Sequence, residues 1–276
     1  ALSANPFAAV AAHVGRDGDA LSNGTTRTAG HVCAPLPLPT RTGLPVCVVG
    51  YFDTRADDSA RAQGGVQLTA ATGRADESAR VDWNRALCAN VAAAYAALLE
   101  VLPSLVGGGT ARAYGYWPTA GELAQEELGE LVLSPLYERL AELPLFLTLP
   151  RTLVEGDRGH HEGAALKRLG DGLLCADDLG SDRLRQFAEV HFSVFDVPAA
   201  VSAEVLRRAP KACRPFTPKA LREYVRRKLS DPKKRERRLG TSAWAALGSV
   251  PFVLELLEWC ARDLGPGAAS YAELSG

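Results

Sequence analysis

The chain has 276 residues, with Lys+Arg 31 against Asp+Glu 32 for a formal net charge of -1, and 47% apolar against 23% charged residues. That length and apolar content suffice for one or two domains with sizeable cores, and they exclude a chain disordered throughout or built on collagen-like repeats. No apolar run approaches the roughly 20 residues of a bilayer-spanning helix, and no basic stretch leads into an apolar one at the start, so neither a membrane anchor nor a secretory signal is expected. Met is absent, position 1 included, so the chain is expected to be a piece of a longer polypeptide.

In chain order, Asn5 to Val14 is a short apolar segment and Gly15 to Gly30 a polar, glycine-rich surface loop. Two extended segments follow, His31 to Pro39 and Leu44 to Phe52, joined by turn chemistry at Thr40 to Gly43. The prolines place this region at strand ends or on a sheet edge, since each removes a ladder donor. Asp53 to Arg80 is weakly patterned and expected to be a long loop. Leu87, Val91, Ala94, Leu98 and Leu102 recur at helical spacing behind an Asp82 N-cap, predicting a helix over Trp83 to Leu102 that stops before Pro103. A second helical block spans Ala120 to Leu143, with Pro135 as a break, and Leu145 to Leu149 reads as a strand.

Pro150 to Gly163 reads as a connector, dividing the chain into subdomains at 1–150 and 164–276. Beyond it come helices at Ser181 to Glu189 and Ala199 to Arg208, a strand at His191 to Val197, and a helix over Pro218 to Leu229 with Thr217 as its N-cap. A last helix over Ser249 to Leu264 turns Val253, Leu256, Leu257 and Cys260 inward. The expected class is mixed α+β, with short strands and several amphipathic helices.

The six cysteines, Cys33, Cys47, Cys88, Cys175, Cys213 and Cys260, form no close pair in sequence, against a disulfide scaffold or a zinc site and in favour of a reducing compartment. Each sits among apolar neighbours and reads as a small buried hydrophobe. His160-His161 has no third ligand at metal spacing and reads as a surface loop. Gly107-Gly108-Gly109-Thr110 lacks the Lys-Ser/Thr of a phosphate loop, and the Asp57-Asp58 and Asp177-Asp178 doublets read as solvated turns. No catalytic motif, cofactor or metal is expected in this segment.

Charge is unevenly placed. Arg207 to Arg238 holds 14 Lys or Arg and 3 acids, a local charge of +11, which leaves -12 for the remainder. Its candidate basic surface is Lys219, Arg222, Arg226, Arg227, Lys228, Lys233, Lys234, Arg235, Arg237 and Arg238. Such a run can neutralise phosphates, although only Phe216 and Tyr224 offer aromatic stacking, and the acidic remainder offers an internal or inter-domain partner instead.

Pro35-Leu-Pro-Leu-Pro-Thr-Arg-Thr-Gly-Leu-Pro-Val-Cys-Val-Val-Gly-Tyr-Phe, preceded by Asn5-Pro-Phe-Ala-Ala-Val-Ala-Ala, resembles the leucine-proline turn and following strand of the sacsin repeats. In the same order, Trp83-Asn with Ala94-Tyr-Ala, Tyr116-Trp-Pro with Tyr137-x-x-Leu-x-x-Leu-Pro, Asp196-Val-Pro, Phe216-Thr-Pro-x-x-Leu-Arg-x-Tyr and the Leu256-Leu-Glu-Trp-Cys helix extend the resemblance over nearly the whole chain. Cys47 and Val49 depart from the His and Asn that the family carries there, marking a divergent member. The resemblance implies a large cytoplasmic protein of chaperone function and protein quality control, whose repeats begin with an ATPase-like module related to the ninety-kilodalton heat-shock chaperones. That module's nucleotide motifs are absent here, so the resemblance places it upstream of Ala1. The implied role is a non-catalytic scaffold that acts through protein contacts, with chaperones, clients or other repeats as partners, and Arg41 as a sensor of nucleotide phosphate. Nucleic-acid binding through residues 207–238 is the alternative, and an enzyme built from dispersed residues has no motif in its favour.

Overall fold

A computed structural model of the chain describes residues 7–13, 30–34, 36–53, 66, 68, 75–106, 109–119, 126–155, 158–174, 182–229 and 250–261. The fold is mixed α+β. Two units group by contact: Ala1–Leu149 with Ala164–Gly172 and Phe195–Cys213, and Pro150–Gly163 with Leu173–Val194 and Arg214–Gly276.

The first unit is built on a four-stranded sheet, β1 (Ala8–Ala11), β2 (His31–Ala34), β3 (Leu36–Arg41) and β4 (Cys47–Gly50), in the order β1-β4-β2-β3. β2 and β4 are parallel; the other neighbours are antiparallel. The segment from His31 to Pro39, expected to run straight, instead reverses so that Ala34 faces Leu36. β3 lies on the sheet edge and carries Pro37 there, where a missing ladder N–H costs nothing.

The Thr-Gly-Leu segment closes the base of this excursion. The buried Thr42 hydroxyl donates to the Gly30 carbonyl at 3.1 Å and accepts from the Leu44 N–H at 3.1 Å. Gly43 has φ 74°, in the left-handed region where a side chain is strained. At Gly30 an added Cβ would fall 1.7 Å from the Val46 carbonyl oxygen, so only glycine allows this approach.

α1 (Ala75–Leu105) begins well before the expected Trp83, and Asp82 is an exposed residue within it, not its cap. The segment from Ala75 is rich in good helix formers, and Glu77 and Val81 are already buried, so packing extends the helix toward its N-terminus. The helix also continues past Pro103. Its buried face is Leu87, Cys88, Val91, Ala92, Tyr95, Ala96, Leu99 and Leu102, rotated from the predicted stripe so that Ala94 and Leu98 lie at its margin. An 18-residue window of this helix has mean hydropathy 1.6, long and apolar enough by composition to cross a membrane, which corrects the expectation drawn from the sequence. Here its apolar face packs on α3 (Glu126–Glu142) and on β1. α3 runs through Pro135 without the expected break.

Between α1 and α3 lie the short α2 (Gly109–Ala113) and a 3-10 turn, Tyr114–Tyr116. Trp117 forms the hub of an aromatic core, edge-on to Tyr114 (5.3 Å), Tyr137 (6.0 Å) and Phe146 (5.3 Å), and Phe146 continues to Phe195 at 5.5 Å. β5 (Phe146–Leu147) is the start of the expected strand at Leu145.

In the second unit, the expected connector is a β-hairpin: β6 (Arg151–Glu155) pairs with β7 (Arg158–Glu162). His160 and His161 therefore belong to a strand, not to a loop. A further short strand of the first unit, β8 (Leu166–Lys167), pairs with β5. α4 (Asp182–His191) takes up the start of the strand expected at His191 to Val197, which is reduced to single bridges at Val194 and Phe195. α5 (Ala199–Arg208) belongs to the first unit. α6 (Pro218–Leu229) starts where expected, its Ala220 N–H donating to the Thr217 hydroxyl at 3.2 Å. α7 (Val250–Ala261) buries Leu256, Trp259 and Cys260, whereas Leu257, expected inside, is 52% exposed.

Candidate functional site

The residues on which the sequence resemblance rests are mostly fastenings. Trp83 donates its indole N–H to the Tyr51 carbonyl at 2.8 Å. Asn84, fully buried, grips the backbone of Asp53 from both sides, accepting its N–H at 2.8 Å and donating to its carbonyl at 2.9 Å. An amide side chain is suited to this, having a donor and an acceptor side by side. Together they pin the chain leaving β4 to α1.

Tyrosine hydroxyls act likewise elsewhere in the first unit. Tyr95 donates to the Tyr116 carbonyl at 2.6 Å, Tyr116 to the His13 carbonyl at 3.0 Å and Tyr137 to the Pro118 carbonyl at 2.7 Å. The Tyr114 hydroxyl accepts from the Leu147 N–H at 2.8 Å, and burial pushes its ionisation up to about 12. Burial raises the ionisation of Tyr116 as well, so Tyr114 and Tyr116 stay neutral at physiological pH and serve as hydrogen-bonding groups.

Arg41, expected on a turn bounded by prolines, is the last residue of β3, paired with His31 and exposed. A strand end fixes its backbone and leaves the guanidinium in solvent.

The basic segment is divided by the fold. Arg208 on α5 has a side chain only 3% exposed. It donates Nε to Glu204 at 2.8 Å, Nη2 to Glu130 of α3 at 3.1 Å, and Nη1 to Glu130 at 3.2 Å and to the Ser134 hydroxyl at 2.8 Å. Arg207 adds a 3.4 Å contact to Glu130. The Arg208 hydrogen bonds hold the Glu130 carboxyl below the usual carboxylate range. Two cations counted in the +11 run are thus engaged in binding α5 to α3. In the second unit, Lys219 and Arg226 are exposed on α6, while Arg222 is half-buried and donates to the Cys260 carbonyl of α7. Arg227 and Lys228 belong to α6 by backbone, and Lys233, Lys234, Arg235, Arg237 and Arg238 lie outside the described residues, as do the Asp57-Asp58 and Asp177-Asp178 doublets.

Cys88, Cys213 and Cys260 are buried hydrophobes, as expected, and burial alone pushes the thiols of Cys88 and Cys213 up to about 12 and about 11. Cys33 and Cys47 differ. Both are half-exposed, and the pairing of β2 with β4 brings them near each other: burial raises the ionisation of the Cys33 thiol, and Cys47 raises it further. Sequence separation hid this pair, because the sheet order, not the spacing, brings them together. The Arg208 to Glu204 contact had a readable signal in its i,i+4 spacing, but Glu130 is more than seventy residues away in the chain. Among the described residues, no group of three His, Cys, Asp or Glu is placed to hold a metal ion.

No family model matches the chain, and comparison with curated proteins and with solved structures gives no significant match.

Proposed function

We propose that this chain is a non-catalytic segment of a sacsin-like chaperone and protein quality-control scaffold, cytoplasmic, acting through protein contacts and coupled to an ATPase module elsewhere in its polypeptide. The observation that carries the reading is where the signature residues are used. Thr42, Trp83, Asn84, Tyr116 and Tyr137 each bond to backbone and hold strands, turns and helices of one unit together. Side chains engaged in this way build a rigid body; they do not form a reaction centre. The exposed Arg41 at the end of β3 is the proposed point of coupling to nucleotide, since its guanidinium is accessible and its strand is fixed in the sheet.

The test is the intact polypeptide with Arg41→Ala. Lowered ATP turnover and altered nucleotide-dependent hydrogen exchange are expected; unchanged values in both overturn the coupling, and an intact polypeptide without ATP turnover overturns the scaffold reading as stated. A second reading, nucleic-acid binding, draws on Lys219 and Arg226, which are exposed on one helix. It requires affinity for DNA or RNA that persists at physiological salt and falls steeply as salt rises.

A further inference from the structure

We propose that Cys33 and Cys47 form a reversible redox site, a pair of thiols that a low-molecular-weight disulfide such as oxidised glutathione converts to a disulfide joining β2 to β4. The register places them. With Val32 opposite Val48 and Cys33 opposite Val49 in the parallel pair, Cys33 and Cys47 are diagonal neighbours on one face of the sheet. Val32 and Val48, at 0% and 1% exposure, occupy the opposite, buried face. The face that bears the thiols is therefore the one that reagents reach, and both cysteines are half-exposed on it.

Diagonal neighbours have Cα atoms roughly 7–8 Å apart, with Cβ atoms closer, whereas a disulfide needs about 4.4–6.8 Å between Cα atoms. Beside this register, burial raises the ionisation of the Cys33 thiol and Cys47 raises it further, as a close neighbour does. Closing the bond requires β2 to move against β4, and on its other side β2 pairs irregularly with β3 between His31 and Cys33. A bond formed under such strain is easily reduced again, the property of a regulatory disulfide and not of a structural one.

The chemistry balances without a cofactor. One cysteine thiolate attacks a sulfur of oxidised glutathione, breaking its S–S bond, forming a mixed disulfide and releasing one glutathione. The second cysteine, its proton lost to solvent, attacks the protein sulfur of that mixed disulfide and releases the second glutathione. Two protein thiols are oxidised and one glutathione disulfide is reduced to two thiols. The buried Cys88, Cys213 and Cys260 offer no comparable access.

The experiment treats the purified full chain with oxidised glutathione, blocks the remaining thiols and maps peptides without reduction. A Cys33 to Cys47 cross-linked peptide, two hydrogens lighter than its reduced halves and reversed by dithiothreitol, is expected. Phenylarsine oxide, which bridges adjacent thiols, should bind the untreated chain at the same pair, and Cys33→Ser or Cys47→Ser should each abolish that binding while circular dichroism stays unchanged. Glutathione attached separately to Cys33 and Cys47 with no cross-link overturns the proposal. So does arsenical binding in the unsubstituted chain that protects neither cysteine from alkylation, a result that does not depend on how the variants fold.

Discussion

The two units are held together by different chemistry. In the first, aromatic residues meet both each other and the backbone: Trp117 gathers Tyr114, Tyr137 and Phe146, and tyrosine hydroxyls reach the carbonyls of His13, Tyr116 and Pro118. In the second, among the described residues, rings meet rings. Phe216 stacks on Trp259 at 4.9 Å and lies edge-on to Phe192 at 5.2 Å. The buried hydroxyls add directionality, since each fits only the arrangement that places a carbonyl at its tip, whereas stacking is satisfied by area and tolerates shifts. A body that must hold an exposed residue in one place is better served by the first kind of core.

The largest expected effect on this contrast comes from its hub. Trp117→Ala should cost about 3–5 kcal/mol in the first unit, read by denaturant unfolding, because it removes three ring contacts and leaves a cavity. Tyr95→Phe keeps the ring and removes only the hydroxyl, leaving the buried Tyr116 carbonyl without that donor, at about 1–3 kcal/mol. If Tyr95→Phe and Tyr137→Phe were both as stable as the unsubstituted chain, the hydroxyls would add nothing and the two cores would be of one kind. In the second unit, Thr217→Ala should cost about 1 kcal/mol through the lost cap of α6, with helical signal falling at lower denaturant.

The smallest effect is electrostatic. Glu130 ionises below the ordinary carboxylate range when folded, because it accepts from Arg208. Its contribution to stability is therefore present above the unfolded-state value and is lost as pH falls through the depressed folded value. Glu130 is 58% exposed, so solvent screening keeps the contribution modest. Glu130→Gln should lower stability at neutral pH and flatten its decline toward acid, in thermal melts taken across that range. A decline as steep as that of the unsubstituted chain would show that α3 and α5 are held by packing alone.

The mixed α+β class was legible because apolar periodicity changes along the chain from the alternating, proline-punctuated strands to the three-to-four spacing of α1. The α6 cap was legible from Thr217-Pro218 alone. The start of α1 was not, since Ala75 to Arg80 is polar and becomes helical through Glu77 and Val81 packing inward. The reversal between Ala34 and Leu36 was masked by prolines that fit a straight edge strand equally well. At the candidate sites the residue types were visible and their partners were not: Arg207 and Arg208 counted only as charges of the basic run until Glu130 arrived from another helix, and Cys33 and Cys47 read as unrelated until strand order placed them together.

The apolar character of α1 also bears on how the protein is made. Leu105 leaves the ribosome well before Glu142 completes α3, and at about 5–20 residues per second that interval is roughly 2–7 s. For those seconds the nascent chain presents a helix with hydropathy enough for a bilayer and without the partner that covers it, a natural target for holding factors and for the insertion machinery. Slowing codons placed between α1 and α3 are therefore expected to lower the recovered soluble fraction, measured by expression yield, without altering a single residue of the folded chain.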